Sequence, residues 1–185
     1  MYQGFSEQSL ARLCSENNRR AQEELYTRYA ARLFTLCLRY SDSRGEAQDL
    51  VHDSFLKALS KIDSFTYRGS GSLYAWISRI AINMALANIS RYKLRFVQLA
   101  PSMTDDMTEP TDEQFARIPQ EKLLEFISRL PDTQRAIFNL YCMDGYSHKE
   151  IADMLGISER GSTSMLVKAK ASLRRQINEY IKNSE

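Results

Sequence analysis

Glycine and proline are scarce in this chain, seven and four among 185 residues. So few turn-formers exclude the many tight reversals of a sandwich or barrel and favour long helices. Cysteine is scarcer still: Cys14, Cys37 and Cys142 are scattered and have no Cys-x-x-Cys spacing. Neither a disulfide framework nor a zinc ribbon is indicated, and all three are expected to be reduced, buried small hydrophobes. Two histidines, no glycine-rich phosphate loop and no convergent acid–base pair give an enzyme no support. No catalytic residue, metal site or cofactor is expected. The most apolar run, around Ile80 to Ile89, contains Asn83 and Asn88 and is too short to cross a bilayer. Met1 to Glu7 has neither the basic nor the apolar region of a secretory signal. These features predict a cytoplasmic protein with no direct membrane insertion.

What is present supports folded cores, since 43% of the residues are hydrophobic. The net charge is only +2, but it is unevenly spread. Residues 1–100 carry 14 Lys/Arg against 9 Asp/Glu, residues 101–121 carry 1 against 6, and residues 122–185 carry 10 against 8. A self-sufficient DNA binder shows a stronger basic footprint. Any affinity for nucleic acid is therefore expected to be shared with a partner.

The stretch from Tyr146 to Ile177 carries the most specific pattern. Ser147 and Glu150 have capping-box spacing, and Ile151, Ala152 and Leu155 make one apolar face of a short helix. Gly156 suits a tight helix exit, and Ser158 caps a second helix whose buried stripe is Leu166, Ala169, Leu173 and Ile177. Two helices joined by a short glycine-bearing turn form a helix-turn-helix, which seats the start of its second helix in the major groove. Arg160, Ser162, Thr163 and Met165 lie where base edges are reached, and Lys168 and Lys170 further along are placed to touch phosphate.

Upstream, periodicity predicts helices over Phe5 to Cys14, Asn18 to Tyr40 and Glu46 to Lys61, and a fourth that Ser72 caps and that runs to about Tyr92. The third leaves Asp49, His52, Asp53, Leu56 and Lys57 on its outer face. Asp49, His52 and Asp53 have spacing that one ion could bridge, but no further ligand cluster supports a metal, and a protein-binding face is favoured. Between the third and fourth helices, Phe65, Tyr67 and Arg68 are interleaved with Gly69 and Gly71. A single-strand stacking surface needs such residues, although a plain loop with its aromatics tucked inward has the same composition. On the fourth helix, Leu73, Trp76, Ile77, Ile80 and Met84 have core spacing, Arg79 and Asn83 share another face, and Arg91 lies near the end. Three of the four prolines and five acids mark a linker before amphipathic segments over Glu121 to Leu130 and from Pro131 onward. The expected organisation is all-α, with helical domains over residues 1–99 and 121–185 joined by a flexible acidic linker over 100–120.

These motifs together resemble the extracytoplasmic-function (ECF) sigma factors of bacterial RNA polymerase over nearly the whole chain. In the first domain the resemblance rests on Glu24-Leu25-Tyr26-x-x-Tyr29, on Ala47-x-Asp49-Leu50-Val51-His52-Asp53-x-Phe55-Leu56-Lys57 and on Tyr67-Arg68-Gly69-x-x-Ser72-Leu73-x-x-Trp76-Ile77-x-Arg79-Ile80-Ala81-x-Asn83. In the second it rests on Leu130-Pro131-Asp132-x-Gln134-Arg135 and Glu150-Ile151-Ala152-x-x-Leu155-Gly156-Ile157-Ser158.

The resemblance implies that the Glu46–Lys61 helix docks on core polymerase through Asp49, His52, Asp53, Leu56 and Lys57. Phe65, Tyr67, Arg68, Arg79, Asn83 and Arg91 would melt and read the downstream promoter element. The helix-turn-helix would read the upstream element. Core RNA polymerase and promoter DNA are the implied partners, with an anti-sigma factor as a further family expectation. The alternative is a stand-alone helix-turn-helix regulator, which the weak net charge and the acidic outer face disfavour. The chain departs from the family pattern at Ile82, Ala87 and Arg160-Gly161-Ser162-Thr163, and Gly161 weakens its helix by roughly 1 kcal/mol relative to Ala.

Overall fold

Three helices begin where a short polar side chain satisfies a free backbone N–H. Ser6, Asn18 and Ser43 accept from the N–H groups of Ser9, Ala21 and Glu46, starting α1 (Glu7–Ser15), α2 (Arg19–Leu38) and α3 (Arg44–Ser60). α3 begins two residues before the predicted start because Ser43 is its cap, and Gly45 lies inside the helix. The computed structural model describes residues 5–93 and 118–184, with side chains described for 5–87 and 118–184. Among these residues there is no β-strand. The expected linker falls outside the described residues up to position 117. The chain divides into two compact units, Met1–Ala87 and Asn88–Glu185.

In the first unit α1 packs on α2 and α2 on α3. Leu10, Leu25, Leu33, Leu73 and Ile77 are fully buried. A 3-10 turn (Ile62–Ser64) follows α3, and after the loop comes α4 (Ser72–Lys93). The buried line of α4 is Leu73, Ile77, Ala81 and Ala85, while Trp76, Ile80 and Met84 are half-buried on its flank. The small alanines extend the i, i+4 row begun by Leu73 and Ile77 and allow close approach, so the core face is rotated from the one the large side chains suggested. Ile82, at a departure from the family pattern, is buried.

The second unit holds α5 (Gln120–Ser128), α6 (Asp132–Phe138) with a π-helical turn (Asn139–Met143), α7 (His148–Leu155) and α8 (Glu159–Lys182). Arg135 is buried, donating to the Ser128 carbonyl at 3.0 Å and to Asp132 at 3.3 Å, so it fixes the end of α5 against the start of α6. Ile118, Phe126 and Leu130 pack with Ala169, Leu173 and Ile177 of α8. The helix-turn-helix follows its sequence signature closely. Both halves of the Ser147–Glu150 capping box are formed, Gly156 is left-handed (φ 66°, ψ 35°), and Ser158 caps α8 through the Gly161 N–H.

One expectation about the cysteines needs correction. Cys14 and Cys37 are buried, but Cys142 lies on the surface, because the π turn rotates it away from the side that buries Asn139 and Leu140. No helix among the described residues is long and apolar enough to cross a membrane.

Candidate nucleic-acid interface

α3 turns Ala47, Leu50, Val51, Ser54, Phe55 and Ala58 inward. That rotation leaves Asp49, His52, Asp53, Leu56 and Lys57 exposed together on the opposite side. Leu56 is 66% exposed, a large apolar group set among charges. Tyr26 of α2 extends this surface: its ring stacks with His52 at 5.9 Å and lies 4.9 Å from Phe55. Arg19, Glu23, Tyr26, His52, Leu56 and Leu59 border an open groove of about 540 Å³ between the two helices. Asp49, His52 and Asp53 do not form a group able to hold a metal ion.

The loop after α3 resolves the two fates open to its aromatics by splitting them. Phe65 is half-buried against Trp76, with ring centroids 5.6 Å apart. Tyr67 remains 42% exposed beside exposed Arg68. Gly69 and Gly71 have φ of 119° and 87°, a backbone that other residues adopt only under strain. Ser72 does not cap α4, contrary to its position in the sequence. It is the first helical residue, and its hydroxyl accepts from the Arg68 N–H at 3.3 Å, bracing the loop. Arg79 and Asn83 are exposed one turn apart on α4. Arg91 lies in the part of α4 whose side chains are outside the described residues.

On α8 the predicted base-reading set divides. Arg160 and Thr163 are exposed, Lys168 is half-buried and Lys170 exposed. Ser162 and Met165 are not available to DNA, being 0% and 8% exposed. Ser162 bonds instead to His148 Nδ1 at 2.9 Å, and His148 stacks on Tyr141 with centroids 4.4 Å apart. One polar contact thus joins the π turn, the start of α7 and the first turn of α8. The outward positions follow i, i+3 and i+4 spacing from Arg160 through Thr163 to Val167, a residue that sequence reasoning missed. Counting four from Thr163 would have found it; assigning every residue near the helix start to the groove could not.

Comparison with known proteins bears on all three surfaces. Residues 25–95 match the family model described as Sigma-70 region 2, and residues 120–173 match Sigma-70, region 4. The two together cover more than half of the chain. It belongs to the sigma-70 family.

This sigma factor is 25% identical over 188 residues to the ECF RNA polymerase sigma-E factor of Haemophilus influenzae, covering 96% of this chain and 98% of that one. It is 25% identical over 197 residues to the corresponding factor of Escherichia coli K12, covering 98% and 100%. Its fold is shared with CnrH, solved in complex with the cytosolic domain of CnrY (TM-score 0.53, 21% identity, covering 94% of this chain and 97% of that one). It is also shared with the sigma factor RpoE solved with the anti-sigma factor NepR from Bartonella quintana (TM-score 0.52, 19% identity, covering 84% and 96%). The ECF resemblance drawn from the motifs is borne out, as is the all-helical plan with a helix-turn-helix in region 4. Sigma factors are non-catalytic initiation factors. In this family member the α3 face and the Phe65–Gly71 loop fall inside the region 2 match, and the α7–α8 pair opens inside the region 4 match.

Proposed function

We propose that this sigma factor divides promoter opening among the three surfaces. The outer face of α3, through Asp49, His52, Asp53, Leu56 and Lys57, docks on core RNA polymerase. The loop carrying Tyr67 and Arg68, with Arg79, Asn83 and Arg91 on α4, melts and holds the downstream element. Arg160 and Thr163 on α8 read the upstream element, while Lys168 and Lys170 neutralise phosphate. The chain acts in the cytoplasm, as a binding factor and not as an enzyme. An anti-sigma protein is part of the proposal, because one fold neighbour is described with such a partner. A stand-alone regulator would leave the region 2 segment without a task.

The observation carrying this reading is the split between Phe65 and Tyr67. An anchored ring fixes the loop, and the exposed ring beside a cation has the chemistry to replace lost base stacking, worth roughly 1–3 kcal/mol per base. A Tyr67→Ala, Arg68→Ala double variant is expected to bind core polymerase normally and to open duplex promoters poorly. On a template mismatched across the melted region, run-off transcription should largely recover, and permanganate footprinting should show the missing unpaired thymines on the duplex only. Equal losses on both templates would assign the loop a packing role.

A further inference from the structure

Among the described residues of α8, Val167 is the single large hydrophobic that stays exposed, at 53%. Its helix neighbours Met165, Leu166 and Ala169 are buried against the rest of the unit. The residues sharing its outward face are Arg160 and Thr163, and Lys168 and Lys170 flank it. Val167 lies about 12 Å along the axis from the start of α8, within the part of a recognition helix that a major groove accommodates.

One turn earlier, the Thr163 hydroxyl donates to the Glu159 carbonyl at 3.1 Å. Its proton is committed to the backbone, so Thr163 brings no donor to a base edge in this conformation. Thr163 and Val167 therefore present mainly an apolar ridge in the middle of a polar, basic surface. The major-groove edge of DNA has one apolar group to meet such a ridge, the thymine 5-methyl. Valine is also stiff at χ1, so an exposed valine presents its methyls in a defined direction.

We propose that Val167 is a specificity determinant that reads the 5-methyl group of a thymine in the upstream promoter element. The proposal rests on α8 being the recognition helix, as argued above. It adds to that reading the kind of base sought at one position and the contact that seeks it. Replacing thymine by uracil removes the methyl and leaves every Watson–Crick and groove hydrogen-bonding group in place. The contact can therefore be deleted from either side.

The test uses holoenzyme assembled from core polymerase and the full chain. A preferred upstream element is first selected from randomised duplex DNA. Each thymine of the selected duplex is then replaced singly by uracil, and binding is measured by competition. One replacement is expected to weaken wild-type binding about four-fold, the worth of one buried methyl. The Val167→Ala holoenzyme should bind the thymine duplex about that much more weakly and show no further loss with uracil there. Wild-type indifference to every uracil, or undiminished sensitivity in Val167→Ala, overturns the assignment. If a preferred sequence exists and Arg160→Ala alters it, that failure touches Val167 alone. If wild-type holoenzyme selects no upstream sequence, the recognition-helix reading fails and the Val167 assignment fails with it.

Discussion

Glu7 caps the start of α4 from far away in sequence: its Oε2 accepts the backbone N–H of Leu73, 66 residues later, at 3.2 Å. Its Oε1 accepts the buried Tyr29 hydroxyl at 2.9 Å, so one carboxylate joins α1, α2 and the start of α4. The negative charge also sits at the positive end of α4. The loop carrying Tyr67 and Arg68 leads directly into the helix start that Glu7 holds.

Glu7→Ala removes both bonds and leaves the Tyr29 hydroxyl proton without its acceptor. A loss of about 2 kcal/mol is expected, measured by urea unfolding. If the capped start also positions the loop, transcription should fall more on duplex than on pre-melted templates. Unchanged stability would show that water replaces the carboxylate without cost.

Reversing the charge at exposed Asp53 should leave the fold intact and oppose docking. Asp53→Lys is expected to weaken association with core polymerase at least about ten-fold, equivalent to 1.4 kcal/mol, with an unchanged circular-dichroism spectrum. Leu56→Ser should weaken it as well, since Leu56 is too exposed to be needed by the core. Wild-type association in both variants would make this face merely solvated.

The glycine at 161 has a local reason. A Cβ there would lie 3.1 Å from the Ser158 hydroxyl oxygen, the atom that caps α8 by accepting the Gly161 N–H. Gly161→Ala should gain about 1 kcal/mol of helix propensity and lose a similar amount at the cap, giving little net change in thermal unfolding. In a Ser158→Ala background the same substitution should stabilise by about 1 kcal/mol, since there is no hydroxyl left to crowd. An equal effect in both backgrounds would show that the cap does not oppose the side chain.

Burial, reinforced by the hydrogen bond to Glu7, pushes the Tyr29 hydroxyl from 10.0 to about 12. Burial likewise raises the Cys37 thiol from 9.0 to about 12 and the Cys14 thiol from 9.0 to about 11. The folded state holds these protons more tightly than the unfolded chain, so the unfolded chain ionises first. Their contribution is fully present below pH 9 and is lost as pH rises, first for the thiols and above 10 for Tyr29. The unfolding midpoint should be steady from pH 7 to 8.5 and fall beyond it. Cys37→Ala should flatten the early part of that fall, and a midpoint independent of pH up to 10.5 would contradict the linkage.

The sequence alone determined the parts of this protein governed by neighbours within one helical turn. Ser147 and Glu150 close their capping box three residues apart, Gly156 takes its left-handed turn, and Ser158 caps α8. The apolar periodicity of α2 and α3 likewise states which side faces inward. Tertiary structure decided what depends on an arriving partner. Ser162 and Thr163 are adjacent polar residues, yet His148 takes Ser162 into the interior and Thr163 stays outside. Trp76 draws Phe65 down and leaves Tyr67 on the surface. Ser72 looks like the cap of α4, but the acceptor comes from Glu7, far away in sequence. Helix caps are short-range hydrogen bonds that local spacing encodes, whereas the choice among equivalent polar or aromatic side chains is made by packing between elements, which no local pattern records.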